Sequence, residues 1–140
     1  MNITTMTEDI HVHCITASSF PDGVQEAHKA LRSLLNDKIH YQYFGLSWPD
    51  RNDGLIYKAA AEESQEGELA KHSLEKMVIL KGSYLFIDLV DFMKDLTAFG
   101  RTFQELIHDD RVDPNGFCIE WYLNENLCRC MVKTIDYENK

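Results

Sequence analysis

Positive charge is scarce in this sequence: 14 Lys and Arg residues stand against 23 Asp and Glu residues, a formal net charge of -9 over 140 residues. No stretch of the chain concentrates the basic residues. Because nucleic-acid affinity depends mostly on Lys and Arg contacts with phosphates, we expect no direct nucleic-acid binding. The acidic field instead attracts cations, an effect that salt weakens at cellular ionic strength.

Long apolar runs are also missing. The apolar stretches are far shorter than a membrane span, and Met1 to Ile10 is polar and acidic where a signal peptide would be apolar. We therefore expect a cytoplasmic protein that does not associate with membranes. The length predicts one domain, which we place at residues 9–136, with flexible termini at residues 1–8 and 137–140.

The spacing motifs of common metal sites and catalytic sites are absent. No Ser-His-Asp order, glycine-rich phosphate loop or HExxH segment occurs. His11 and His13 share a predicted strand face but have no evident third ligand. We therefore expect no metal and no cofactor. Four cysteines occur without a CxxC pair, and we interpret them as structural thiols of a reducing compartment: Cys14, Cys118, Cys128 and Cys130.

Hydrophobic periodicity predicts the same order of elements twice, about 70 residues apart: a strand, a helix and a hairpin. The first set is Ile10 to Ala17, a helix from the Ser18–Asp22 start to about Asn36, and the strands Tyr41 to Trp48 and Leu55 to Glu63 around a turn at 49–54. The second set is the apolar pair Lys76 to Leu80 and Ser83 to Val90, a helix from Leu96 to His108, and the hairpin of Phe117 to Leu123 and Cys128 to Ile135. Residues 64–73, between the sets, are predicted as a short helix or an exposed connection. The pattern predicts an α+β fold, a tandem β-α-β-β repeat with antiparallel sheets and two main helices.

Glu120 interrupts the most apolar of these strands, Phe117 to Leu123. A carboxylate taken out of water without a partner costs several kcal/mol, so this position implies a compensating partner or a ligand. Strand alternation places Glu120 on one face with Cys118 and Tyr122. The other face is bulky and wholly apolar, so we expect it to pack against the helices: Phe117, Ile119, Trp121 and Leu123.

The position of Glu120 in this strand also has explanations that involve no ligand. The carboxylate would also be accounted for by exposure at a wet strand face, or by an ion pair with a basic residue such as Arg129. In the first half, Tyr43 shares a face with Gly45 and Ser47, and Trp48 lies on the other face with Phe44 and Leu46. For the return strand two inward sets remain open: Tyr57, Ala59, Ala61 and Glu63, or Ile56, Lys58, Ala60 and Glu62.

Four segments resemble the GyrI-like small-molecule-binding family, which is related to the effector-binding domains of multidrug-responsive transcription regulators. They are Tyr43 to Pro49, Ile56 to Glu63, Lys81 to Tyr84 and Phe117 to Leu123, within a match from about His11 to Lys133. The resemblance implies a bacterial protein with two repeats that face each other across a ligand cleft, with pseudo-twofold symmetry. No helix-turn-helix segment adjoins the match, which argues against direct transcriptional control.

The resemblance also implies site residues. An acidic residue on the penultimate strand, matched by Glu120, meets cationic aromatic compounds in this family. Aromatic neighbours stack on the guest molecule. The aromatic residues assigned to this role are Tyr57, Tyr84, Trp48 and Tyr122. The predicted ligand-binding set also includes Tyr43, because a tyrosine hydroxyl needs a polar partner, and Cys118, which shares the strand face of Glu120.

Two alternatives accompany the binding function. Some members of the family are hydrolases of strained cyclopropane-containing toxins that use a Glu with a Tyr, for which the catalytic candidates here are Glu120 and Tyr57, with Tyr84 as another tyrosine. A gyrase-interacting or transcription-associated protein, with an unknown protein partner, is supported only by the net charge.

Overall fold

The computed structural model describes residues 1–49 and 54–135, and over these ranges the chain is α+β. The predicted turn centred on residues 50–53 and the predicted flexible terminus at 137–140 lie outside the described residues. The elements in chain order are β1 (Asn2–Met6), β2 (Ile10–Thr16), α1 (Val24–Leu34), β3 (Gln42–Pro49), β4 (Leu55–Glu62), β5 (Glu75–Ile79), β6 (Gly82–Val90), α2 (Ala98–Ile107), β7 (Cys118–Tyr122) and β8 (Leu127–Lys133). Short 3₁₀ helices also form at Ala70–His72 and Phe92–Lys94.

The chain divides into two compact units, of which the first unit is Ile10–Ile79. Its four strands are antiparallel in the order β5-β2-β4-β3. Helix α1 covers one face of this sheet, where Ala27 and Leu31 pack on Ala59 and Ala61. The alanines of β4 therefore make room for the helix, because small side chains let it approach the sheet closely.

The second unit joins Met1–Asp9 to the chain from Leu80 onward. Its strands are antiparallel in the order β1-β6-β8-β7, which is the topology of the first unit with β1 in the place of β5. Helix α2 packs through Leu106 on Leu85, Cys130 and Val132. The predicted repeat of strand, helix and hairpin is confirmed, and each repeat carries one additional edge strand.

Two differences from the sequence prediction concern these edge strands. Residues 1–8 were predicted as a flexible terminus, yet Asn2–Met6 forms β1 and pairs with β6 from Asn2 opposite Phe86 to Met6 opposite Gly82. Strand β5 was predicted to pair with β6, but it pairs with β2, and β6 lies between β1 and β8. Both differences are long-range pairings, which local periodicity does not report.

The start of α1 also differs, because the helix begins at Val24 and not near Ser18. Residues 18–23 form turns in which the Gly23 amide donates to the Ser19 carbonyl at 3.1 Å. A Cβ atom at Gly23 would lie 2.8 Å from that same oxygen, so the close turn requires glycine.

Leu31 and Leu34 provide a matched test of the first unit's core, since both are leucines of α1. Leu31 is fully buried and Leu34 is 39% exposed. We expect Leu31→Ala to lower the free energy of unfolding by about 2–5 kcal/mol, because it leaves a cavity against β4. Leu34→Ala should cost less than about 1 kcal/mol. Urea denaturation measures both, and equal losses would contradict the described packing.

Candidate functional site

Glu120 lies on the face of its sheet that α2 covers, so the predicted orientation of β7 is wrong. Residues directly opposite in an antiparallel pair point to the same side, and Glu120 lies opposite Cys130 while Cys118 lies opposite Val132. Cys130 and Val132 belong to the cluster around Leu106 of α2. Cys118, Glu120 and Tyr122 therefore face the helix.

The error has a physical cause. The prediction assumed that only one face of this sheet is apolar and buried. On the face away from α2, Ile119 is 1% exposed and Met131 is fully buried. When both faces of a strand are buried, the more apolar set does not identify the helix side.

The Glu120 carboxylate is held in an aromatic setting. The residue is 9% exposed, and the Tyr122 hydroxyl donates to its Oε1 atom at 2.5 Å. This O–H···O distance is typical of charge-assisted hydrogen bonds. The Tyr122 ring meets the Phe92 ring edge to face at 5.5 Å, and Phe92 meets Phe99 in the same way at 5.9 Å. The 3₁₀ helix at Phe92–Lys94 brings the Phe92 ring to this cluster.

Three cysteine thiols lie on the same sheet face as Glu120. Cys128 and Cys130 are fully buried, and Cys118 is half-buried. A hydrogen bond to Cys130 raises the pKa of the Cys128 thiol far above its usual range, and burial and the charge of Glu120 raise it further. This thiol stays protonated at neutral pH, so it is a poor nucleophile and a poor metal ligand.

The prediction of structural thiols also holds for Cys14, which is buried in the first unit. Burial raises the pKa of Cys14 to about 12. Among the described residues, no group of three or more His, Cys, Asp or Glu side chains is arranged to hold a metal ion.

Arg129, the predicted basic partner of Glu120, is engaged elsewhere. Its guanidinium donates from Nε and Nη2 to the two carboxylate oxygens of Asp88 at 2.8 and 3.1 Å. The guanidinium carbon also lies 4.0 Å from the centre of the Phe86 ring. Since Arg129 lies opposite Trp121 in the β7–β8 register, it belongs to the face away from Glu120.

In the first unit, one of the two sets of β4 residues faces α1. Ala59 and Ala61 pack on α1, so Tyr57, two residues before Ala59, faces the helix as well. Tyr57 is 2% exposed, and its hydroxyl shares a 2.7 Å hydrogen bond with Nε2 of His28 on α1. The Tyr57 ring also lies 6.0 Å from the ring of Phe20.

His28 is a site residue that the sequence analysis did not identify. Burial lowers the pKa of His28 from 6.5 to about 4, and the nearby Arg32 charge lowers it further. The imidazole is therefore neutral at physiological pH. The only sequence signal for this position is its place next to Ala27 on the apolar side of α1, which does not distinguish a buried histidine from one at the helix border.

Tyr43 joins Tyr57 on the α1 side of the first unit, opposite Ala61. The Arg32 guanidinium lies 4.5 Å from the centre of the Tyr43 ring. Burial raises the pKa of the Tyr43 hydroxyl, and Arg32 partly offsets this change. Tyr43 packs at the margin of the cluster of Ala27 and Leu31.

Tyr84 and Trp48 lie on the sheet faces away from the helices. Tyr84 precedes Leu85, which faces α2, and its hydroxyl donates to the Leu80 carbonyl at 2.6 Å. The Lys58 ammonium lies over the Trp48 ring, 5.6 Å from the ring centre, and also forms an ion pair with Glu75. In the second unit, Glu120, Tyr122 and Cys118 thus share one sheet face and Tyr84 lies on the other. In the first unit, Tyr57 and Tyr43 share one sheet face and Trp48 lies on the other.

Comparison with known proteins supports the fold. No protein-family profile and no curated protein matches the chain. Among solved structures, the protein SAV2435 bound to tetraphenylphosphonium matches with a TM-score of 0.66 at 11% identity, over 99% of this chain and 95% of that protein. At this identity the likeness establishes a shared fold.

Two further solved structures share this fold at 13% identity and a TM-score of 0.60. One is a hydrolase from Listeria innocua, matched over 96% of this chain and 90% of that protein. The other is the integron cassette protein VCH_CASS2 from the mobile metagenome of Vibrio cholerae, matched over 96% of this chain and 95% of that protein.

In the described part of this chain, neither α1 nor α2 has the length and apolar character needed to cross a membrane.

The neutral state of His28 predicts a pH dependence of stability. The unfolded chain takes up a proton at this histidine near pH 6.5 and the folded chain only near pH 4, so protonation favours unfolding. The free energy of unfolding should therefore fall as the pH falls from about 6.5 to about 4, and this contribution should be complete above pH 6.5.

Urea denaturation across this pH window, for the wild type and His28→Gln, measures the effect. We expect a shallower slope in His28→Gln, and an unchanged slope in the control His40→Gln, whose side chain is exposed. A slope that His28→Gln leaves unchanged would contradict the assignment of a half-buried, neutral imidazole.

Proposed function

We propose that this chain binds small lipophilic aromatic cations at Glu120, on the α2 side of the second unit's sheet. The observation that carries the proposal is the buried Glu120 carboxylate, which accepts a hydrogen bond from the Tyr122 hydroxyl at 2.5 Å. The Tyr122 ring packs against Phe92, which in turn packs against Phe99. Membership of the GyrI-like family, which the sequence resemblance implies, is part of the same proposal.

An anion among aromatic rings favours one class of ligand. Ring faces attract a cation by roughly 0.5–2 kcal/mol each, and a buried carboxylate attracts it more strongly than an exposed one, because the surroundings screen the charge less. Apolar groups on the ligand gain from leaving water. The first two terms are unfavourable for an anion, and the third does not depend on the sign of the charge, so charge is the property that distinguishes ligands of similar shape.

Two further observations support the ligand class. SAV2435, which shares the fold, is bound to tetraphenylphosphonium, a lipophilic cation with four aromatic rings. The net charge of -9 also raises the local concentration of cations around the chain.

Tetraphenylphosphonium and tetraphenylborate provide a matched pair of probes, since they are similar in size and shape and opposite in charge. We expect calorimetry to detect tetraphenylphosphonium binding with at least about tenfold higher affinity than tetraphenylborate binding, a difference of about 1.4 kcal/mol. Glu120→Gln should weaken tetraphenylphosphonium by about 10- to 100-fold and leave tetraphenylborate no weaker.

The control is Glu125→Gln, which removes the same charge at an exposed position between β7 and β8. Its affinity for tetraphenylphosphonium should stay within about twofold of the wild type, because exposed charges are screened by solvent. Equal affinity for the two probes, or equal losses in the two variants, would refute a specific role of Glu120.

Hydrolysis is the second candidate function, favoured by the same short hydrogen bond. A carboxylate that holds a tyrosine hydroxyl has the elements of general acid–base chemistry, which contributes roughly 10²–10⁴-fold to a rate. The solved hydrolase from Listeria innocua shares the fold. Tyr122 is the tyrosine whose hydroxyl bonds to Glu120, so the proposal assigns it the role for which the sequence offered Tyr57 and Tyr84. The Tyr57 hydroxyl bonds to His28, and the Tyr84 ring lies on the sheet face away from Glu120.

A turnover assay with a strained cyclopropane-bearing alkylating toxin tests this candidate. If it is correct, Tyr122→Phe and Glu120→Gln should each lower the initial rate by about 10²-fold or more, while Tyr84→Phe retains most of the activity. A wild-type rate equal to the buffer rate would exclude hydrolysis of this substrate class and leave cation binding unaffected.

A further inference from the structure

We propose that two copies of this chain pair through their β1 strands, edge to edge, as a twofold dimer. Within the described residues, β6 is the strand partner of β1, and β1 ends the strand order of the second unit. A strand at the end of a sheet directs half of its backbone N–H and C=O groups away from the sheet. A second strand that pairs with this edge provides hydrogen-bond partners for all of these N–H and C=O groups.

Strand β1 lacks the features that keep edge strands apart. Its sequence, Asn-Ile-Thr-Thr-Met, has no charged residue and no proline. Edges that stay monomeric are commonly protected by lysine, by proline, by bulges or by a covering segment. Ile3 is 54% exposed beside this edge, which adds apolar area to a new contact.

Strand β5, which holds the equivalent place in the first unit, is protected. It begins with Glu75 and Lys76, which are both exposed. Glu75 accepts a hydrogen bond from Thr16 at 2.9 Å and pairs with Lys58, so its charge is fixed at this edge. A second strand approaching β5 would meet these charges, whereas the residues of β1 itself carry no charged side chain.

The kind of assembly follows from the contact itself. Because both copies contribute the same strand, the contact is isologous, so it closes as a twofold dimer and does not extend into a fibre. Antiparallel pairing about Thr4 sets Thr4 opposite Thr4 of the other copy and Ile3 opposite Thr5. Thr–Thr pairs and pairs with β-branched residues are favourable across strands.

The small contact predicts a weak dimer. Two five-residue strands bury less surface than the roughly 1,200 Å² of a stable interface, so we expect a dissociation constant in the range of about 10–100 µM. Each copy carries a net charge of -9, and the resulting repulsion is screened by salt. The dimer should therefore strengthen as salt is added.

Sedimentation velocity of the full chain, from about 10 to about 500 µM, tests the proposal. The wild type should show a concentration-dependent dimer, and Ile3→Lys should raise the dissociation constant at least tenfold. The matched control is Ile107→Lys, since Ile107 is 45% exposed on α2. This control should dimerise like the wild type. Both variants reduce the net negative charge equally, so charge repulsion does not explain a difference between them.

Disulfide trapping tests the pairing without relying on Ile3. In the proposed register Thr4→Cys meets itself across the twofold axis and should cross-link under mild oxidation. Thr5→Cys and the wild type, oxidised in parallel, should not, because a disulfide requires Cα atoms within about 7 Å. A wild type that stays monomeric throughout this range, or a dimer that Ile3→Lys leaves intact, would overturn the proposal; cation binding at Glu120 would stand either way.

Discussion

The hydrogen bond from Tyr122 to the buried Glu120 carboxylate is the interaction on which the functional account depends. A carboxylate at 9% exposure has lost most of its hydration, and the Tyr122 hydroxyl at 2.5 Å replaces part of it. Aromatic rings and the protonated Cys128 thiol lie around the pair. In the proposed function, the cationic ligand meets this carboxylate.

The fold supports this arrangement by repeating one unit of four antiparallel strands and a helix. In each unit the helix packs on the face of the hairpin strands, through Leu31 on Ala59 and Ala61 in one and through Leu106 on Cys130 and Val132 in the other. The polar residues of interest lie on those helix-covered faces. Tyr57 meets a neutral histidine there, whereas the equivalent face of the second unit holds the hydrogen-bonded pair of Glu120 and Tyr122.

Most of the helices and strands, and the unusual position of Glu120 in an apolar strand, could be predicted from the sequence because their signals are local. Alternation identifies β7 and β8, helical spacing identifies α1 and α2, and one carboxylate in an apolar strand is conspicuous without a structure. The face of Glu120, strand β1 and the role of His28 could not be predicted. The face of Glu120 could not be predicted because the opposite face of the sheet, with Ile119 and Met131, is buried as well. Strand β1 and the role of His28 depend on contacts between segments that are distant in the sequence.

A crystal structure of the protein with tetraphenylphosphonium tests the central claim most directly. The account predicts the phosphonium on the α2 side of β7, with a phenyl ring against Phe92 and the cation in contact distance of the Glu120 carboxylate. A phosphonium bound on the opposite face, beside Trp121 and Phe86, with the Tyr122–Glu120 pair unchanged and remote, would contradict it.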